Sequence, residues 1–299
     1  LGARGFAAYE RPGELSGSAV LGHPAAHRPY AAAIVRQAMA EGLAYVELRG
    51  SPQKYGDGLS FLEAFHAALA AVLAGWPEYQ RPRLRFILIA DRRDPASVRA
   101  LIRLALEARE RLPNFIAGVD LAGDEDVNPP AAIAGHFLPA FERCLPLTIH
   151  AGDGQAADAI WQAAYHLHAD RIGHGLTLGD HPPLAARFRD RGICLELCPT
   201  SNREVVGYRD PAVPETAPCP EYPLRTLWEA GLPLTLCTDN PGISRTTLAD
   251  EYLAAARMME GLTVWDALAM IKQGFVHAFL PSEERETLLK KADARVYRA

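Results

Sequence analysis

The sequence has 299 residues, 49% hydrophobic, 22% charged and 8% aromatic, which excludes disorder and collagen-like structure and supplies enough apolar material for one large core or two modest ones. A formal net charge of -5 and a pI near 6.1 provide no general attraction to phosphate backbones or anionic membranes, so the expected partner is a small molecule, with no nucleic acid and no membrane. The five cysteines, Cys144, Cys194, Cys198, Cys219 and Cys237, lack CxxC spacing, which points away from a disulfide framework or a zinc ribbon and toward a reducing, cytoplasmic compartment.

The first residues contain no charged-then-apolar targeting pattern, and no apolar run approaches the roughly 18 residues needed to span a bilayer. The chain opens on Leu1, so native residues are expected upstream of it. His23 and His27, in HPAAH, precede the first visible strand and become ligands only if that segment folds over a site. From about residue 44 a regular alternation begins: an apolar, β-branched run, a polar loop, then an Ala/Leu/Arg-rich helical stretch. The apolar runs are AYVEL (44–48), RFILI (85–89), FIAGVDL (115–121), PLTIH (146–150), RIGHG (171–175), ICLEL (193–197) and PLTLCTD (233–239). Between them, SFLEAFHAALAAVLA, PASVRALIRLALEARERL and QAADAIWQAAYHLHA read as amphipathic crossover helices.

Such a repeat gives an open doubly wound sheet or an eight-stranded barrel. His150, His174, Glu196 and Asp239 each fall at or near the C-terminal end of a run, and strand ends converge at one face of a barrel. The expectation is therefore an α/β (β/α)8 TIM-type barrel, a single domain over 1–299, with its first strand before residue 1 or lost. No GxGxxG or P-loop motif supports a nucleotide-cofactor site. The proline-rich stretch 207–223 reads as a loop crossing the active face. After the seventh strand the chain is helical, over about 246–299, with Ser282 expected as the N-cap of the last helix and Glu283 and Glu284 in its first turn.

In LTIHAGDG, His150 ends a strand and Asp153 follows after small residues, an arrangement that supplies a metal ligand and a proton carrier; a locally hydrogen-bonded histidine is the alternative. RIGHG places His174 between two glycines. CTDNPGIS puts Asp239 and Asn240 before a turn, where an aspartate either caps or binds. In VDLAGDED, Gly123 can bring its backbone N–H close to a ligand, while Asp124, Glu125 and Asp126 fit a solvated loop equally well. Cys194 and Cys198 read as small core residues. His166 and His168 have HxH spacing but lie in a helical pattern, where residues two apart diverge, so they are expected away from the site.

VDLAGDE, IHAGDG, RIGHG, LCPTSN and TDNPGIS, in this order on successive strands, resemble the adenosine deaminase family of metal-dependent amidohydrolases, from AYVELRGSP to FLPSEERETLL. The resemblance implies a barrel with one divalent metal, usually Zn2+, and hydrolytic deamination of an adenine nucleoside, nucleotide or related aminopurine with release of ammonia. By motif, His150 and Asp239 resemble metal ligands, and the resemblance also implies that Asp239 orients the attacking hydroxide. His174 resembles the histidine that helps deprotonate and stabilise the metal-bound water. Gly123 resembles the backbone contact to N3 of the purine, and Asn240 the contact to N7.

Two departures stand out. The family's HxH pair on strand one has no counterpart before residue 44 and is expected upstream of Leu1, and Asp153 stands where the family has a proton-donating glutamate, one methylene longer. The alternatives are another amidohydrolase reaction and a silent barrel acting as a binding or assembly subunit. Homo-oligomerisation is left open by the sequence.

Overall fold

The computed structural model describes residues 5–214 and 218–297, and the chain divides into two compact units. One comprises Glu10–Asn128 and Ala132–Leu147; the other comprises Leu1–Tyr9, Pro129–Ala131 and Thr148–Ala299.

The first unit runs α1 (His27–Ala40), β1 (Tyr45–Gly50), α2 (Gly58–Leu73), β2 (Arg83–Asp91), α3 (Pro95–Arg111) and β3 (Ile116–Ala122). β2 pairs in parallel with β1 and with β3. Asp57 and Asp94 cap α2 and α3, each accepting from the backbone N–H three residues on, and Pro95 at the first helical position has no N–H to leave unpaired. Phe61, Phe65, Phe86 and Phe115 form a continuous aromatic core, with successive ring centroids 5.4, 6.5 and 5.7 Å apart. The two early histidines are structural: His27 is buried, with Nε2 2.9 Å from the Leu21 carbonyl and its ring edge-on to Phe61, and His23 Nδ1 accepts from the Ala25 N–H.

The second unit contains β4 (Leu147–Ala151, from Thr148 onward), α4 (Ala157–His166), β5 (Arg171–His174), α5 (Pro182–Arg191), β6 (Cys194–Leu197), α6 (Pro199–Val205), α7 (Leu224–Glu229), β7 (Leu234–Leu236), α8 (Leu248–Met258), α9 (Val264–Val276) and α10 (Ser282–Val296). The four strands are parallel and neighbour one another in chain order. Ile149, Ile172, Leu195 and Leu234 are in register and fully buried, so a continuous aliphatic row holds the strands together. Inside it Glu196 forms an ion pair with Arg171 at 2.8 Å and accepts from Thr148 Oγ1 at 2.7 Å. Glu196 is therefore a paired group in the strand layer, not part of the strand-end chemistry its position suggested.

All seven expected strands are present, but the last stops at Leu236, so Asp239 lies beyond it in the left-handed backbone region at φ 52°. Ser282 is not the N-cap of α10. Pro281, at φ -53° and ψ 145°, holds that place, and Ser282 becomes the first helical residue. α8 and α9 carry reciprocal capping boxes from Thr247 with Asp250 and from Thr263 with Asp266. Cys194 and Cys198 are buried free thiols, as expected. No described helix is long and apolar enough to cross a membrane.

Candidate active site

β4 ends in a turn that needs glycine. Gly152 sits at φ 78°, and a Cβ there would lie 2.6 Å from Ile160 Cδ1, so only hydrogen fits while the chain doubles back to present Asp153. On the adjacent strand Gly173 is in register with His150, and a Cβ on it would approach His150 Nδ1 to 3.1 Å. His150 therefore lies close over β5, with its ring centroid 5.0 Å from that of His174 and the planes at 71°. His174 is buried and takes φ 66°, a conformation costing a non-glycine residue about 1–2 kcal/mol. Together with Asp239 at φ 52°, two of the chemical residues are held in strained backbone by their surroundings.

What joins these strand ends is the first turn of α6. Glu251 of α8, fully buried and with its carboxyl pushed up by that burial, accepts from the Thr200 N–H at 2.9 Å and from Thr246 Oγ1 at 2.6 Å, and so anchors the turn. The next two residues face two ways. Ser201 Oγ donates to Asp239 Oδ2 at 2.6 Å, while Asn202 Nδ2 donates to Asp153 Oδ1 at 2.8 Å and lies 2.9 Å from His174 Nδ1. His174 Nε2 is 3.8 Å from Asp153 Oδ2. Tyr9, from the short helix Phe6–Pro12, donates to Asp239 Oδ2 at 3.3 Å, and burial followed by the Asp239 charge holds its phenol above the ordinary range. The described ends of the 207–223 loop border this cluster. Tyr222 hydrogen-bonds Asn202 Oδ1 at 3.0 Å and packs edge-on against Tyr208, and fully buried Asp210 is clamped by Arg257 at 2.7 Å.

Four sequence-expected residues, His150, Asp153, His174 and Asp239, thus gather around one helix turn. Asn240 is exposed beside them and spends one N–H on Asp239 Oδ1 at 2.9 Å. Gly123 belongs to the other compact unit, just past β3 at φ 102°, where a Cβ would meet Asp91 Oδ1 at 2.8 Å. His166 ends α4 with its ring against Trp161, and His168 follows in the loop, both exposed. The residues that sequence reasoning missed are Ser201, Asn202 and Tyr9. The first two lie in LCPTSN, directly after the sixth apolar run, a strand-end position that is the signal for them, and Tyr9 carries none.

A neutral imidazole and a carboxylate are donors that suit a divalent ion of the zinc kind. His150 and Asp239 are side chains of those two types, and the hydroxyls of Ser201 and Tyr9 both donate to Asp239 Oδ2. Among the described residues no three His, Cys, Asp or Glu side chains stand together as a complete metal set.

The family model "Adenosine deaminase" matches residues 4–295. An adenosine deaminase of Pectobacterium atrosepticum is 33% identical over 278 residues, covering 92% of this chain and 78% of the relative. The N6-methyl-AMP deaminase of Arabidopsis thaliana superposes with a TM-score of 0.81 at 24% identity, covering 99% of this chain and 86% of that one. A zinc-bound amidohydrolase from Burkholderia ambifaria superposes with a TM-score of 0.73 at 21% identity, covering 93% of this chain and 76% of that one. The structural likenesses show the fold, α/β of the (β/α)8 hydrolase class expected from the strand-end pattern, and the sequence match over nearly the whole chain shows that it belongs to the adenosine deaminase family.

Proposed function

We propose that the residues gathered around the first turn of α6 hydrolyse the exocyclic C–N bond of an aminopurine and release ammonia. As a family member the chain is a deaminase, a hydrolase acting on adenine nucleosides or nucleotides. The observation that carries the assignment of roles is the joining of Asp153 to His174 through Asn202, with Asp239 held by the neighbouring Ser201.

A divalent metal accompanies this chemistry. We read it as Zn2+ with His150 and Asp239 among its ligands, and when bound it supplies water made acidic enough to attack near neutral pH. Asp153 carries the proton to the purine ring: its Oδ1 is fixed by Asn202 and its Oδ2 is turned toward His174 Nε2. Asn240 is assigned N7 through its second amide N–H, because the first is donated to Asp239.

Asp153 is one methylene shorter than the glutamate it replaces, and a displacement of roughly 1 Å at a proton-transfer group is worth about 10²-fold in rate. Ammonia release from adenosine and AMP by metal-loaded Asp153→Asn should therefore fall by about 10²-fold or more, while Asp153→Glu retains activity or raises it on adenosine. Metal content should be unchanged in both. An Asp153→Asn variant that keeps full ammonia release removes the proton role from Asp153.

A further inference from the structure

We propose that Asn202 is a positioning residue that sets the tautomer of His174, holding its ring proton on Nε2 and making His174 a hydrogen-bond donor toward the site. The catalytic consequence of this tautomer rests on the deaminase reading; the tautomer itself does not.

Asn202 is fully buried, so each of its polar atoms has to be satisfied within the protein. Its carbonyl end is identified by a partner that can only donate. The Cys198 backbone N–H points at Oδ1 at 3.1 Å, and an amide turned the other way would set two donors against each other. Tyr222 supplies the second donor to the same oxygen at 3.0 Å, and its phenol, pushed far up by complete burial, retains its proton. The amide nitrogen therefore faces Asp153 Oδ1 at 2.8 Å and His174 Nδ1 at 2.9 Å. An NH2 group has two hydrogens and no lone pair to offer, so one goes to the carboxylate and the other requires a bare Nδ1 on His174. All four hydrogen-bonding valences of Asn202 are then used, and the neutral imidazole has one place left for its proton, Nε2.

That nitrogen is 3.8 Å from Asp153 Oδ2. A neutral ring with its proton on Nε2 cannot take a second proton there, so His174 acts at the site as a donor to developing negative charge. The base role implied by the family resemblance would need the reverse tautomer, with the amide opposed to it. In this arrangement one amide group orients both side chains, fixing Asp153 through Oδ1 and leaving His174 a donor through Nε2.

The test is a long-range proton–nitrogen correlation spectrum of the 15N-histidine-labelled chain, without substrate, at about pH 8, above the ordinary imidazole range. The His174 signals are assigned by comparison with His174→Gln. The expected result is a protonated Nε2 and an unprotonated Nδ1. A proton on Nδ1, or on both nitrogens, overturns the proposal with no variant of Asn202 needed.

Asn202→Asp adds the comparison. A carboxylate at this position accepts from Nδ1–H, so the proton should move to Nδ1, and an unchanged Nε2–H tautomer also overturns the proposal. In the metal-loaded enzyme the same variant should lose about 10²-fold in kcat with KM within about threefold, as expected when orientation rather than ground-state binding is lost. If the wild-type chain shows the Nε2–H tautomer and releases no ammonia from adenosine or AMP, the deaminase reading fails while the role of Asn202 stands.

Discussion

Replacing Glu196 with glutamine tests whether the pair inside the β4–β7 layer holds the strands or serves the chemistry. Arg171 and Glu196 are each 4% exposed and 2.8 Å apart. At that distance the bare attraction is about 6 kcal/mol for an effective dielectric of about 20, most of it offset by the desolvation of both ions. The net effect of breaking a buried pair is better set by what remains. In Glu196→Gln the amide oxygen still accepts from Thr148, but the Arg171 guanidinium stays buried over the Phe279 ring, 3.5 Å from its centroid, with Nη1 on the His277 carbonyl at 2.8 Å and no counter-charge at position 196. A cost of about 3–5 kcal/mol follows, which lowers Tm by roughly 5–15 °C in a chain of this size. Thermal unfolding followed by circular dichroism measures it. Arg171→Met combined with Glu196→Gln removes the stranded charge and should recover about half of the loss or more, because burying no ion is cheaper than burying one alone. Ammonia release by the folded single variant should be unaffected. A single variant that melts with the wild type, or a double variant that loses the sum of both single effects, refutes the reasoning.

Gly175 and Gly192 form a matched pair of left-handed glycines at φ 69° and 65°, but a Cβ on Gly175 would lie 2.7 Å from Leu195 Cδ2, whereas one on Gly192 meets nothing within 4 Å. Gly192→Ala should therefore cost about 1 kcal/mol of conformational strain and Gly175→Ala about 2–4 kcal/mol, since overpacking adds to it; equal shifts in urea midpoint would rule out the steric account. His277 is held at about 4, below its ordinary 6.5, by burial first and then by the Arg171 and Arg285 charges. Between those values the unfolded chain binds the proton and the folded one does not, so stability is full above about 6.5 and falls as pH drops toward 4, by at most about 2 kcal/mol after solvent screening. His277→Gln should flatten that part of a urea-stability curve against pH, and an unchanged slope would assign the acid sensitivity elsewhere.

The strands were legible because a parallel strand covered on both faces must be apolar throughout, and RFILI, PLTIH and ICLEL state this directly. The residues at their ends were legible for the complementary reason: a histidine or aspartate closing an apolar run has left the packed layer, and His150, His174 and Asp153 do meet there. Capping was readable only in part, since the box at Thr263 is written within four residues, whereas Pro281 displaced Ser282 through a backbone angle that composition does not display. Glu196 shows the limit of strand-end logic. Its position matched those of the chemical residues, but Arg171 and Thr148 take up its carboxylate inside the layer. Only tertiary structure decided the links that make a site of the strand ends: Asn202 lies 49 residues from Asp153 and 28 from His174, and Tyr9 lies 230 from Asp239. Periodicity and capping are set by neighbours within a turn or two of chain, so the sequence alone determined the elements and their polar ends. A hydrogen bond is set by ångström-scale distances and angles between residues that sequence separation says nothing about, so the pairing of those ends, and the place of the His174 proton, belong to the packed fold.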